Sequence, residues 1–508
     1  MKDESYVRYL EKIVDALLKE RGHDGDIHGE NVTDNSPGTY AVYNIRQTMS
    51  EKQSQRGEQT MREILEAIIE AGGDPIRVGG CIRDEMLGVE SKDIDIEVFG
   101  LSSDALVAVL KRFGKVSVVG ESFGVIKLRH KGEEFDFSLP RRDNKVGRGH
   151  KGFEVVVDHE LSPFEAAKRR DFTINAIGRR LDGELVDPHG GLSDLNNRVL
   201  RHTSEHFAED PLRVLRGFQF AARFNMSVVP ETLEMCRSLI GEFDTLAIER
   251  IWIEFEKWAV KGSVPSAGLR FLRACGWVSL FPELEALIGV QQDPEWHPEG
   301  DVWEHTLHVC DAAARIADRE QLEGEDRAVL ILAALCHDLG KPETSVFERG
   351  RWRAPGHPEA GVPVAKRFLE SIGCLQRIID RVLPLVREHM IHVTGGQPSD
   401  KLVRRLAVRL EKASVCELLL LIEADHSGRP PLFPGLPKKA EEIGVIAERL
   451  DVEAAKPKPI IGGRHLIDRG LQPGPRFGEI IGECFEAQLD GVFVDENGAV
   501  LFLEELLQ

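Results

Sequence analysis

Residues 76–99 read IRVGGCIRDEMLGVESKDIDIEVF. An apolar entry through Ile76 and Val78 meets the paired glycines Gly79 and Gly80, then Arg83 and Asp84, then a second β-type run carrying Asp93 and Asp95. Period-two geometry predicts both of these carboxylates on one strand face, with Ile94 and Ile96 on the other. Such a strand buries one side and holds a metal on the other. Two carboxylates suit Mg²⁺, which takes oxygen ligands and bridges nucleotide phosphates while an attacking hydroxyl is activated. Gly79 and Gly80 let backbone approach a triphosphate, and Arg83 offers charge to neutralise it. A DxD pair alone also suits a surface turn. Its position behind a glycine–arginine element points to nucleotidyl transfer.

Outward from this stretch, the chain of 508 residues suggests about three or four domains of roughly 100–150 residues each. No run approaches the roughly 18 apolar residues of a membrane span, and the charged start MKDESYVRYLEK lacks a secretory core, so the expectation is a soluble, cytoplasmic protein without a membrane partner. Eight dispersed cysteines without a CxxC pair fit reduced thiols in cores. A net charge of −20 opposes nucleic-acid binding by the whole surface and excludes a simple basic scaffold. Three basic islands stand out, at 141–151, at Lys168–Arg170 and at 401–412 (KLVRRLAVRLEK). Each is either a solvated face or part of a restricted RNA track.

Residues 4–20 have helical spacing, and 21–58 lose periodicity, which predicts a helix and a mobile linker. Helical pattern returns at 59–71 and leads into the opening stretch. Beyond Asp95 the pattern predicts a helix from Ser103 to Phe113 and short strands at Val116–Val119, Val125–Arg129 and 135–140, a mixed α/β unit. Within that last strand Asp136 faces away from Phe135 and Phe137, either as a third carboxylate beside Asp93 and Asp95 or as an edge residue facing water. The glycine-bearing basic run 141–151 suits a mobile loop over a polyanion. After residue 200 the pattern is helical: Asp210-Pro211 is a good helix opening, with Asp210 a candidate N-cap, and Asp210, Arg213 and Arg216 recur at intervals of three on one face. WHPEG at 296–300 reads as a hinge.

A second constellation has the order His305, His337-Asp338, Asp425 on helices. Imidazoles with carboxylates suit a divalent transition metal with an open position for water that attacks a phosphoester. A lone histidine on an apolar helix is usually core, but an adjacent His-Asp pair closing the apolar run 327–337 is hard to explain by packing. His357 and His389 are candidates for a second metal.

GGCIRD, DID, RRDFTINA, DPHGGLSDL, EDPLRVLR and ERIWIE follow one another in the order of a known family. From about residue 74 through 430 the chain resembles the class II tRNA nucleotidyltransferases, the CCA-adding and bacterial poly(A) polymerase group, with the HD phosphohydrolase domain of one bacterial branch. The resemblance implies an α+β fold: a mixed-sheet, palm-like nucleotidyltransferase head at 59–200, a helical nucleotide-recognition neck and body at 201–300, an HD domain at 301–430, and a helical tail at 431–508 that would bind tRNA, with 1–58 as the N-terminal helix and linker. It implies that Gly80 and Arg83 contact the triphosphate and that Asp93 and Asp95 hold the metal. It further implies that Arg170 and Asp171 bind the ribose and that Glu209, Asp210 and Arg213, with Arg216 close by, read the base.

The implied activity is addition of C and A from CTP and ATP to the 3′ end of tRNA, with a hydrolytic HD centre that in this branch acts on 2′,3′-cyclic nucleotides and phosphomonoesters. Alternatives are a partial CC- or A-adding enzyme, a poly(A) polymerase, or an HD phosphohydrolase with a degenerate head. The stretch VVGESFGVIKLRHKG lacks the arginine-rich signature of the bacterial poly(A) polymerases, which favours tRNA. The intact DxD and RRD elements argue against a degenerate head.

Overall fold

The computed structural model describes residues 59–89, 94–119, 125–130, 133–145 and 153–508. The expected N-terminal helix and linker, Asp93, and the centre of the 141–151 loop lie outside these. Among the described residues no helix is long and apolar enough to cross a membrane. The eight cysteines are free thiols, and all but Cys416 are buried.

The chain forms two compact units. The first comprises residues up to Arg142, Val156–Ser162 and Gly178–Val186; the second comprises Asp143–Val155, Pro163–Ile177 and Asp187–Gln508. The two units interleave in sequence, because residues 178–186 return to the sheet of the first unit after the RRDFTINA segment has entered the second.

In the first unit, helix α1 (59–70) buries Ile64, Leu65 and Ile68 against the sheet core. Strand β1 (Asp74–Val78) runs into helix α2 (Gly80–Met86), and β2 (Asp95–Phe99) is followed by α3 (Ser103–Leu110), whose N-cap Ser102 accepts a hydrogen bond from the Ala105 amide. Next come β3 (Lys115–Val119), β4 (Val125–His130), β5 (Glu133–Ser138), β6 (Arg141–Lys145), β7 (Phe153–Val157), β8 (Gly178–Arg179) and β9 (Leu185–Val186). Seven of these form one sheet in the order β3-β4-β5-β2-β1-β8-β9, and β6 pairs with β7 in a separate ribbon. The mobile loop expected at 141–151 thus begins in a strand. All sheet contacts are antiparallel except β2 with β5, so the sheet is mixed. Ile96, Val98, Ile126, Leu128, Phe135 and Phe137 make its buried face.

The second unit is helical. Helix α4 (Leu212–Phe224) packs between α5 (Ile248–Lys261) and α6 (Pro265–Ala274), burying Phe218 against Phe255 and Trp258. Further on come α7 (Val302–Arg319), α8 (Gly324–Cys336), whose residues from Arg327 to Cys336 are all buried, and α9 (His357–Ser371); α8 packs against α5, α7, α10 (Gln376–Glu388) and α12 (Val415–Ser427). That is why its apolar residues show no one-sided pattern. Between these last two lies α11 (Asp400–Arg409), and α13 (Lys438–Arg449) follows. The tail helices α14 (Pro475–Asp490) and α15 (Glu496–Leu506) close on their own small core of Ile461, Leu466, Ile480, Cys484, Phe493 and Leu503.

Candidate active sites

The first candidate site sits where β1 hands over to α2. Gly79 adopts φ +83° and ψ −141°, a conformation open essentially to glycine alone, and turns the chain directly into the helix. Asp95 opens β2 with an exposed side chain, while Ile96 behind it is fully buried. Its partner across the parallel ladder is Asp136, so the two carboxylates share a sheet face. Lys127 Nζ lies 3.2 Å from Asp136 Oδ1. Asp136 therefore stands beside Asp95 on an interior strand, between β4 and β2, and not on a sheet edge. Arg83 is buried, and its Nε and Nη2 donate to Asp84 Oδ1 at 2.9 and 2.7 Å. Its guanidinium is held by its neighbour.

The second unit gathers the RRD and EDPLR residues. Asp171 is buried: its Oδ1 accepts from the Phe172 amide at 2.8 Å and Asn175 Nδ2 at 2.9 Å, and its Oδ2 accepts from Arg216 Nε at 2.6 Å. Burial alone would raise this carboxyl, but Arg216 and Asn175 hold it down to about 2. Arg213 donates to the carbonyls of His206 at 2.5 Å and Arg169 at 2.7 Å. The N-cap position of α4 is Pro211 and not the expected Asp210, because the chain is still extended at Asp210 and enters the helix one residue later; Asp210 Oδ1 accepts from the Leu212 amide at 3.1 Å and its Oδ2 pairs with Arg250 Nη2 at 2.7 Å. Arg170 adjoins the cluster in sequence, and Glu209 faces His206, its Oε1 lying 2.6 Å from His206 Nδ1.

The third site is the H…HD…D constellation. His305 comes from α7, His337 caps α8 with Asp338 next, His357 opens α9, His389 caps α10, and Asp425 lies on α12. Gly340 lets the turn after Asp338 lie on α9, since a Cβ there would stand 2.1 Å from the His357 carbonyl oxygen. The four imidazoles turn Nε2 inward. His305 Nε2 is 3.2 Å from Asp425 Oδ1 and 3.3 Å from His337 Nε2; His337 Nε2 is 3.2 Å from Asp338 Oδ2; His357 Nε2 is 3.4 Å from Asp338 Oδ1 and 3.2 Å from His389 Nε2. Every Nδ1 meets an outer oxygen: Glu299 for His305, and the carbonyls of Ala334, Ala354 and Val386 for the other three. That fixes each ring as metal-binding histidines are fixed.

Asp338 is the pivot. Both its oxygens are buried and lack a hydrogen bond, although Lys341 Nζ lies 2.7 Å from Oδ2, because that approach is out of hydrogen-bond geometry. Burying a carboxylate without hydrogen bonds is costly unless cations offset its charge. Two ligand groups flank it, His305–His337–Asp425 and Asp338–His357–His389. The residues fit one divalent ion and, through His357 and His389, a second. Burial would lower His305, yet Asp425 and Glu299 raise it to about 9, a measure of how strongly the cage favours positive charge.

The Poly A polymerase head domain matches residues 76–201, and the HD domain matches 302–426. A Multifunctional CCA protein of Nitrosococcus oceani is 36% identical over 419 residues, covering 81% of this chain and 95% of the relative. This chain belongs to the multifunctional CCA protein family. A Xylella fastidiosa member is 38% identical over 364 residues, 69% of this chain and 83% of its own length. The fold is shared with a solved Bacillus stearothermophilus CCA-adding enzyme in complex with CTP, at a TM-score of 0.59 and 20% identity over 88% of this chain and 97% of that one. Both matched domain types generally use divalent metals, in keeping with the carboxylate and histidine clusters here.

Sequence reasoning missed two residues that support the histidine–aspartate cluster. Glu299 Oε1 accepts from His305 Nδ1 at 2.7 Å and lies 2.9 Å from His297 Nδ1, so the WHPEG segment fixes the His305 ring. Lys341, one turn after Asp338, also donates to Gln292 at 2.7 Å. The available signal was a histidine and a glutamate two residues apart shortly before the first ligand helix. The basic island at 401–412 is the other departure. Lys401 pairs with Asp490, Arg405 with Glu486 and Asp490, Arg404 with Asp400, Arg409 with Glu388 and Lys412 with Asp380.

Proposed function

We propose that this protein adds C and A from CTP and ATP to the 3′ end of tRNA, and that its HD domain is a separate, cytoplasmic phosphoester-hydrolysing centre. Family membership over 95% of a relative called Multifunctional CCA protein carries the first half. The inward-facing histidines around an unsatisfied Asp338 carry the second.

At the head, Asp93 and Asp95 would hold Mg²⁺, which would supply charge neutralisation and hydroxyl activation, and Asp136, in register with Asp95, would offer a further carboxylate on the same face. The tRNA 3′-hydroxyl oxygen forms a bond to the α-phosphorus, and the bond to the pyrophosphate oxygen breaks. Gly79 and Gly80 admit the phosphates to the backbone, and Arg83 adds positive charge beside them. Positioning and charge balance do most of this work, since phosphoryl-type transfer demands little acid–base chemistry. The resemblance assigns Asp210 as acceptor and Arg213 as donor towards the Watson–Crick edge of C or A; without nucleotide Arg213 is held by the His206 and Arg169 carbonyls and Asp210 by the Leu212 amide and Arg250. Arg216, locked to Asp171, fixes the helix that carries Arg213, and Arg170 and Asp171 border the ribose.

In the HD domain a divalent transition metal supplies Lewis-acid chemistry. His305, His337, Asp338 and Asp425 would hold it, with His357 and His389 offering a second place. Lys341 supplies a cation at the same carboxylate, where a departing or entering phosphate would lie.

Separation of the two activities tests the proposal. Asp95→Ala should abolish nucleotide addition and keep phosphoester hydrolysis, and His337→Ala should do the reverse. Loss of both activities from either change would defeat the two-centre account.

A further inference from the structure

Three charged side chains stand in one row across the sheet of the head. Lys127 on β4 is directly opposite Asp136 on β5, and Asp136 is directly opposite Asp95 on β2. Cross-strand partners share a sheet face, so all three project away from the buried side made by Ile96, Ile126, Leu128, Phe135 and Phe137. Two carboxylates set opposite each other repel, and a cation beside them offsets that repulsion. Lys127 supplies one. Its Nζ lies 3.2 Å from Asp136 Oδ1 and donates to Glu134 Oε1 at 2.8 Å.

Glu134 sits two residues before Asp136 on β5 and on the same face, and its other oxygen accepts from Arg129 Nη2 at 3.2 Å. Glu134 and Asp136 together hold the Lys127 ammonium above the usual lysine range, so it stays charged. The ammonium thus has two anchors, of which only Asp136 pairs with the strand of the metal-holding carboxylates. A divalent ion and an ammonium compete for the oxygens of Asp136, since both are cations that take oxygen partners. Were Asp136 its only anchor, the arriving ion would leave Lys127 without a partner. Glu134 gives it a place to withdraw to while staying paired.

We propose that Lys127 is a positioning residue of the nucleotidyl-transfer site: it balances Asp136 and Asp95 before the metal binds, and it yields Asp136 to the ion by shifting onto Glu134. The proposal rests on the metal-holding reading of the head given above. Lys127 thereby keeps the ion exchangeable, because each ion bound displaces one contact between Lys127 and Asp136, and Glu134 makes that displacement easier.

The test is a direct titration of full-length protein with MnCl₂, read by the electron paramagnetic resonance of free Mn²⁺. It is run in about 0.5 M salt, where charges beyond direct contact are largely screened. The histidine–aspartate centre offers ligands too, so the share of the head is the binding that Asp95→Ala removes. Lys127→Met is expected to tighten that share about two- to fivefold, the size of an exposed ion pair. Glu134→Gln is expected to weaken it by a similar factor, because Lys127 then rests on Asp136 alone. Arg129→Met removes a cation that pairs with Glu134 and is expected to change the affinity less than Lys127→Met does.

A response of Lys127→Met or Glu134→Gln that is absent or opposite in sign overturns the proposal while the metal-holding reading stands. An Arg129→Met variant equal to Lys127→Met also overturns it, by reducing the effect to a general field. Should thermal unfolding show that Lys127→Met does not fold, Glu134→Gln decides: weaker binding supports the proposal, and equal or tighter binding rejects it. Mn²⁺ binding that Asp95→Ala leaves whole sinks the metal-holding reading itself, and the proposal with it.

Discussion

Glu299 Oε1 accepts a hydrogen bond from Nδ1 of His305 at 2.7 Å, and both side chains are fully buried. The carboxylate sets the ring so that Nε2 faces Asp425, and it raises the basicity of that nitrogen. Glu299→Gln keeps the shape and loses the charge. It is expected to weaken binding of a divalent transition metal by about 10- to 100-fold in a direct metal titration, with thermal stability of the metal-free protein little changed. Equal affinity would remove Glu299 from the centre.

Gly340 meets the backbone of α9 so closely that a Cβ would stand 2.1 Å from the His357 carbonyl oxygen and 2.6 Å from the Gly361 amide. Its φ of −84° is ordinary, so the demand is for space and not for an unusual backbone. Gly340→Ala should destabilise the protein by about 1–3 kcal/mol, as overpacking does, and should lower metal affinity because His357 moves with α9. Thermal unfolding and the same titration check this. An unshifted midpoint contradicts it.

Asp171 gives a pH signature. Its folded-state value of about 2 lies below the roughly 3.9 of an unfolded aspartate, so its contribution of about 2 kcal/mol is present above pH 4 and is lost as pH falls towards 2. Asp171→Asn should lower the melting temperature at pH 7 and flatten its fall between pH 4 and pH 2. A variant that follows the wild-type acid profile in parallel would show that Arg216 does not depend on this carboxylate.

What could be read from the chain depended on how local each relationship is. Gly79, Asp95 and the strand pattern behind them were legible because turn chemistry and period-two alternation are properties of a few neighbouring residues. His337-Asp338 was legible because an apolar helix ending on two polar residues has few structural explanations. The placement of Asp136 beside Asp95 was left open, since it depends on a parallel register between strands far apart in sequence. For Arg213 the base-reading role is implied by the family resemblance and not by its spacing. Its bonds to the carbonyls of His206 and Arg169 depend on how loops fold over α4. From sequence the 401–412 run reads as either a solvated face or part of an RNA track, because its acidic partners, Asp490, Glu486, Glu388 and Asp380, are distant in sequence.

That last point is measurable. If Lys401 and Arg405 chiefly tie α11 to α14, Lys401→Ala and Arg405→Ala should each cost about 0.2–1 kcal/mol of stability. They should also leave the salt dependence of tRNA binding unchanged. A fall of about one in the slope of log affinity against log salt for either variant would instead mark a phosphate contact.

The most direct measurement uses two purified tRNA substrates, one lacking the whole CCA end and one lacking only the terminal A, each incubated with a single nucleotide and Mg²⁺. The expected result is CMP incorporation on the first with CTP alone and AMP incorporation on the second with ATP alone, both abolished by Asp95→Ala. Incorporation of neither nucleotide by the wild-type protein would contradict the account.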